Sequence, residues 1–400
     1  MADGRALHLA VALNGAGWHP AAWRAAGARP AELFTAGYWT ELVAEAERGA
    51  LDFATFEDRL GLQSTLDDGD DDRTDQVRGH LDATLIASTV APLTHRIGLV
   101  PDVVTTHTEP FHISKSVATL DFVSHGRAGV RARVSARRSD AAHFGRRSLP
   151  VFDPSSPQFP GLAGELFDEA ADHVEVQRRL WDSWEDDAEI RDVATGRFID
   201  REKLHYIDFE GAWFAVRGPS ITPRPPQGQP PVAVLAHGAE AYRLAVRAAD
   251  LVFVTPADAE DAGAIAGDLR AIREEHGLPP GTPKVFADLV VFLDEGAGVA
   301  ADRKARLDQA DGTEYTSDAR VFAGTAAALA DELTVLAEAG DLAGFRLRPA
   351  AVPHDLEAIT RTLVPELRAR GLFREEYTSS TLRGHLGLSR PANRYPEVTA

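Results

Sequence analysis

Between Thr105 and Gly129 the sequence reads TTHTEPFHISKSVATLDFVSHGRAG, a 25-residue stretch holding His107, His112 and His125, the pair Glu109-Pro110, and Arg127 set among small residues. Histidine is the side chain whose ordinary pKa lies nearest neutrality, so His107 and His112 are candidates for proton transfer. The hydroxyls of Thr105 and Thr106 can each donate and accept a hydrogen bond at the edge of a polar ligand. Similar groups recur elsewhere: His19 in NGAGWHP, Asp58 in FEDR, and His237, Gly238 and Ala239 in AHGAE. Each also has a purely structural use. Glu109 favours the positive end of a helix starting at Pro110, and His112 then sits in its first turn.

These groups share a place in the chain: each follows a short apolar segment. LHLAVALNG, LDFATFEDR, RIGLVPDVV, GRAGVRARVS, PPVAVLAHG, DLVFVTP, KVFADLVVFL and LAGFRLRPA read as eight strands. Most are separated by amphipathic helical stretches, such as ELFTAGYWTELVAEAERGA, which stops at Gly49. Connections long enough for helices make the strands parallel. The expected fold class is α/β, a (β/α)8 TIM barrel with insertions, in which the residues after each strand line one face. A doubly wound open sheet is the rival. It is disfavoured because Pro20 stands where a third glycine would complete the dinucleotide fingerprint begun by Gly15 and Gly17.

The rhythm breaks over a Pro/Ser-rich stretch near 136–164 and an irregular one near 184–230, and a tail follows 371. The expectation is a single barrel domain over 1–400 with these three additions. Between VVFL and the helix near Ala326 no further element is expected.

Composition narrows the partners. The 400 residues carry a formal charge of -19, which argues against nucleic acid and an anionic membrane. The absence of cysteine excludes disulfides and thiolate chemistry. No segment approaches the length of an uncharged membrane helix, and the N-terminus has no signal-peptide pattern, so a cytoplasmic protein is expected. DDGDDD resembles a calcium loop in composition only, and no histidine or carboxylate spacing suits a metal, so none is expected.

The same strand ends carry a family likeness. GWHPAAWR, YWTELVAEAERGALDFATFED, TTHTEPFHISKSVATLDFVSHGRAG, LWDSWEDDAEIRD, HYIDFEGAWFAVRGPSITPRPPQGQP and VPELRARGLFREEYTSSTLRGHLGL resemble the luciferase-like flavin-dependent monooxygenases. The resemblance is to the branch with nitrilotriacetate, dibenzothiophene-sulfone, alkane and pristinamycin monooxygenases. It implies a two-component enzyme: a separate flavin reductase supplies reduced FMN, which reacts with O2 on a small organic substrate. It also implies a homodimer. By position in the motifs it marks Asp58, Thr105, Thr106, Gly238 and Ala239 as cofactor-binding, and His112 and His19 as catalytic.

The sequence departs from the family pattern at several of these positions. Ala239 stands where a phosphate-binding serine is usual, and Trp18 where a histidine is usual. Val130-Arg131 and Val134-Ser135 replace a Trp-Asn and a Thr-Ser pair, and Ala163 and Phe167 replace a histidine and a tyrosine. An inward Arg131 or Arg133 would be a buried cation in need of a partner. Two alternatives follow: an enzyme of the same fold using a deazaflavin, whose longer anionic tail would suit Arg131, Arg133, Arg137 and Arg138, or a non-catalytic paralogue without flavin binding.

Overall fold

The computed structural model describes residues 6–395 except 65, 67, 70, 152, 154, 158, 279 and 280. The first five residues, the last five of the tail, and Asp67 and Asp70 of the DDGDDD loop therefore lie outside the described residues. Eight strands form a ring: β1 (His8–Leu13), β2 (Phe53–Phe56), β3 (Gly98–Val104), β4 (Val130–Arg133), β5 (Val232–Leu235), β6 (Leu251–Val254), β7 (Lys284–Leu293) and β8 (Gly344–Pro349). Each pairs in parallel with the next, and β8 returns to β1 with His8 opposite Gly344, which closes the barrel. All eight strands read from the sequence are present.

The helices are α1 (Ala36–Arg48), α2 (Ala83–Val90), α3 (Pro110–Val123), α4 (Arg138–Phe144), α5 (Phe159–Asp182), α6 (Ala239–Ala248), α7 (Ala259–Glu275), α8 (Ala297–Asp311) and α9 (Ala326–Gly340), with α10 (His354–Ala358), α11 (Val364–Ala369) and α12 (Leu382–His385) at the end. Thr35, Asp82, Asp258 and Thr325 each accept a hydrogen bond from a first-turn N–H, satisfying donors that helix starts leave open. Outward strand residues such as Leu9, Val11, Ala54 and Leu99 are fully buried against this helical layer.

Two parts of the reading need correction. The segment after β7 is not featureless: it forms α8 and a ninth strand, Arg320–Gly324. That strand pairs with Leu289–Leu293, the end of a ten-residue β7 that outruns its neighbours. An overlong strand offers unpaired N–H and C=O groups, and the extra strand satisfies them. The 184–230 stretch also holds two small hairpins, Glu189–Asp192 with Arg197–Ile199 and Phe209–Glu210 with Ala215–Val216.

Gly17, read as half of a nucleotide fingerprint, has a packing cause. A Cβ there would stand 2.3 Å from the Ala350 carbonyl oxygen, where the turn after β1 crosses the end of β8. The opposite end of the barrel is stopped by the chain's own tail. Leu382 and Leu386 of α12 and its flank pack fully buried against Phe53, Val100, Phe253 and Phe286. Gly98 admits this plug, since a Cβ there would approach Leu382 Cδ1 to 2.6 Å.

Candidate active site

Successive side chains along a strand point to opposite faces. In β8 this puts Arg346 and Arg348 inside the barrel and Leu347 in the outer core. At the end of β2 it puts Glu57 inward and Asp58 outward. Glu57 is the acid on the interior wall, and it meets two arginines. Arg131 Nη2 donates to its Oε2 at 2.6 Å, and Arg346 Nη1 to its Oε1 at 3.2 Å. Asp102 on β3 takes Arg131 Nε at 2.5 Å, and Asp288 on β7 takes Arg346 Nε and Arg348 Nε at 2.9 Å each. Arg348 also reaches Asp318 Oδ1 at 2.6 Å, just before the ninth strand.

The middle of the barrel is thus an ionic lattice, three guanidiniums against the buried carboxylates of Glu57, Asp102 and Asp288, with the exposed Asp318 at its rim. Charges this deep persist only when paired and hydrogen-bonded. Burial pushes the Glu57 carboxyl up, but Arg131 and Arg346 outweigh it and hold the group below the usual range. Asp102 moves up, through burial and the nearby Glu57 charge, because it shares Arg131 with that stronger acid.

Above the lattice, at the carboxyl ends of the strands, lies a cavity of about 370 Å³. Its walls include Ala132, Val134, Phe167, Leu235 and Leu244; Trp18, Glu57, Arg131, Arg133, His237, Asp318 and Arg348 supply the polar part. That size falls in the range of small-molecule sites. Arg131, the inward cation of β4, forms part of its boundary rather than closing it. Arg131 Nη1 is buried without a hydrogen-bond partner, so a donor remains unsatisfied in a residue that lines the cavity. Arg348 stacks its guanidinium 4.4 Å over the Trp18 ring.

Gly238, the N-cap of α6, follows His237 with φ +88°. No side chain caps this helix, and a Cβ placed on Gly238 would meet nothing within 4 Å. Open N–H groups at a helix start suit a phosphate. His237 stands beside them, bonded to Thr255 at 3.0 Å and paired with Asp318 at 3.3 Å. An apolar slot, an unsatisfied inner donor and an uncapped helix start fit a flat heteroaromatic ring with a phosphate tail.

None of the other residues singled out from the sequence lines this cavity. Asp58 Oδ1 is 2.8 Å from His80 Nε2, and its carboxylate accepts the N–H groups of Arg59 at 2.7 Å and Ala83 at 3.0 Å. It braces the loop from β2 to α2. Thr105 donates to the Arg133 carbonyl at 3.0 Å, and Thr106 accepts the Ser135 N–H at 2.9 Å. This buried pair ties the end of β3 to the end of β4. His19 is buried between the first loop and α8, with Nε2 3.1 Å from Asp308 Oδ1; burial lowers its pKa. His112 is exposed on α3, its carbonyl accepting from Ser116. Arg131 was read from the sequence as a possible inward cation; the signal that was missed is the matching charge within the other apolar strands, Asp102, Asp288, Arg346 and Arg348.

Additions to the barrel border this mouth. Arg137 donates to the Leu66 carbonyl at 2.6 Å, and Arg147 pairs with Glu169 of α5 at 2.6 Å, which fastens the 136–164 stretch beside the opening. Among the described residues no helix is long and apolar enough to cross a membrane, and no cluster of histidines and carboxylates is placed to hold a metal.

Residues 16–359 match the family model described as luciferase-like monooxygenase. N-acetyl-S-(2-succino)cysteine monooxygenase of Bacillus subtilis is 30% identical over 97% of this chain and 98% of its own. Component A of the nitrilotriacetate monooxygenase of Aminobacter aminovorans is 29% identical over 98% and 99%. Among solved structures, a long-chain alkane monooxygenase superposes with a TM-score of 0.84 at 23% identity, covering 98% of both chains. The EDTA monooxygenase of Chelativorans sp. BNC1 does so with 0.81 at 21% identity, covering 96% of this chain and 99% of its own. With the closed parallel barrel and the mouth cavity described above, these likenesses place the chain in the luciferase-like monooxygenase family, as a flavin-dependent monooxygenase.

Proposed function

We propose that the protein oxidises a small organic substrate with O2, using reduced FMN delivered by a separate flavin reductase. One observation carries this reading: a cavity at the carboxyl ends of the strands, apolar on one side and lined on the other by a buried arginine whose Nη1 has no hydrogen-bond partner among the described residues. Bound there, reduced FMN would supply the electrons for oxygen activation. Arg131 Nη1 would donate to the polar edge of the ring. Val134, Phe167 and Leu244 would exclude water from its face, and the N–H groups of Gly238 and Ala239, with His237 beside them, would hold the phosphate. Thr105 and Thr106 enter by fixing β4 against β3, Asp58 by fixing the neighbouring loop. On this placement His112 and His19 do not reach the ring.

The relatives are named for substrates that run from nitrilotriacetate to a long-chain alkane and so agree on no substrate class. The reading includes a homodimer in the cytoplasm. Leu85, Leu93, Phe122 and Val123, exposed on α2, α3 and the turn between α2 and β3, supply an apolar face for a second copy.

The deciding experiment is an anaerobic titration with reduced FMN, oxidised FMN and a deazaflavin, followed by fluorescence. Micromolar binding of reduced FMN, and O2-dependent turnover once a reductase is added, are expected. Selective deazaflavin binding, or no binding of any of the three, would overturn the reading.

A further inference from the structure

Next to the mouth cavity lies a second hollow of about 250 Å³, and its polar lining is unusual for a chain with 61 acidic against 42 basic side chains. Arg59, Arg133 and Arg137 all border it, with Ser135 and Asp140. Arg133 and Val134 line both hollows, so one ligand can occupy the two together.

Among the described residues, the carboxylates nearest Arg59 and Arg133 are committed elsewhere. Asp58 is held by His80 and two backbone N–H groups. Glu57 and Asp102 stand 4.0 and 3.8 Å from Arg133 Nη1 and serve Arg131 first. Asp140 accepts the Ser135 hydroxyl at 2.7 Å, and its other oxygen is buried without a partner. Arg133 Nη1 donates to the Asp58 carbonyl at 2.7 Å, leaving its other guanidinium N–H groups. The Arg59 guanidinium has no hydrogen-bond or ion-pair partner among the described residues, although the side chain is largely shielded from solvent. Burial, with the positive charges of Arg133 and Arg137, pushes its pKa down to about 10. A half-buried, unpaired cation facing two others is costly unless an anion joins it.

We infer that this hollow is an anion seat and that the organic substrate bears a carboxylate, which Arg59, Arg133 and Arg137 grip while the rest of the molecule extends past Val134 into the mouth cavity. The inference deepens the monooxygenase reading and depends on it only for calling the anion a substrate. Guanidinium groups suit the planar carboxylate because they offer two parallel N–H donors. Among the described residues that line this hollow, Asp140 is the one acid against three arginines, so the net lining charge is positive.

Citrate, succinate and inorganic phosphate serve as probes, titrated calorimetrically into the full-length protein with and without saturating reduced FMN. Citrate and succinate should bind in both states. Arg59→Gln should weaken them roughly tenfold, the loss of one charged hydrogen bond. Arg59→Lys should restore part of that, and FMN affinity should stay within about threefold in both variants. Arg137→Gln gives the same direction of change if Arg59→Gln melts early. Carboxylate binding in a protein that binds no flavin would keep the anion seat and discard the monooxygenase reading. Three results would overturn the inference: neither carboxylate binding at millimolar concentration, Arg59→Gln weakening FMN or a deazaflavin as strongly as citrate, or phosphate displacing FMN through Arg59. The last two would make the hollow the seat of a cofactor tail.

Discussion

Arg131 Nη2 lies 2.6 Å from Glu57 Oε2, a buried pair that joins β4 to the end of β2 inside the barrel. Because Arg131 is also the main partner of Asp102, its removal strands Asp102 and leaves Glu57 with Arg346 alone. Arg131→Met should cost about 3–5 kcal/mol in a denaturant titration, as loss of one partner of a buried pair does. Combining it with Glu57→Gln and Asp102→Asn should recover a large part of that loss. A single variant as stable as the parent would mean that the lattice is not paired as described.

Adjacent acids should behave in opposite ways. Glu57→Gln leaves the cavity shape intact but changes the charge beside Arg131, and should shift flavin affinity. Asp58→Ala should leave that affinity unchanged and lower stability by about 1.5–3 kcal/mol through its lost charged hydrogen bonds. The anaerobic flavin titration and a thermal melt read the two effects separately. Weakened flavin binding in Asp58→Ala would return Asp58 to the site.

Ala239→Ser places a hydroxyl at the open start of α6. Reduced FMN should bind roughly tenfold tighter, the worth of one hydrogen bond to a charged group. No change would put the phosphate elsewhere.

His173 on α5 is buried and bonded through Nδ1 to Gln177 at 2.8 Å, with Nε2 unsatisfied. Burial lowers its pKa to about 3. Between that value and the ordinary one near 6.5 the unfolded chain takes up a proton that the native one does not, so stability falls as pH falls through this window. His19, His107 and His385 shift in the same direction, also chiefly by burial. His173→Gln should therefore shallow the slope of stability against pH between about 4 and 6.5 by one proton, with the other three keeping the rest. An unchanged slope would show that His173 is protonated, or accessible, in the native state.

Leu382→Ala should destabilise the fold by about 2–5 kcal/mol, the range for an emptied core leucine. The tail closes the barrel end opposite the site, so flavin affinity measured well below the melting temperature should hold. A melt that does not move would mean that the plug is dispensable.

The eight strands were legible because each is a short apolar run between turn residues and helical periodicity, a local pattern that needs no partner to be seen. Closure was legible only as an expectation from their number. The family likeness in TTHTEP, WDSW and RGPSITPRPPQGQP was legible too, since it lies in long contiguous motifs. The ninth strand was not, because RVFAG becomes a strand only through the free edge that an overlong β7 presents.

By itself the sequence determined that this is an α/β chain of parallel strands, without thiolate chemistry and with polar groups gathered after the strands. Which of those groups share a site was decided by tertiary structure. Glu57 and Asp58 are neighbours in the chain, yet strand alternation sends one to Arg131 and the other to His80. Arg59, Arg133 and Arg137 meet at one hollow only because β2 and β4 end on the same rim. Sequence carries residue type and local period; the direction of a side chain and the charges around it exist only once the barrel has closed.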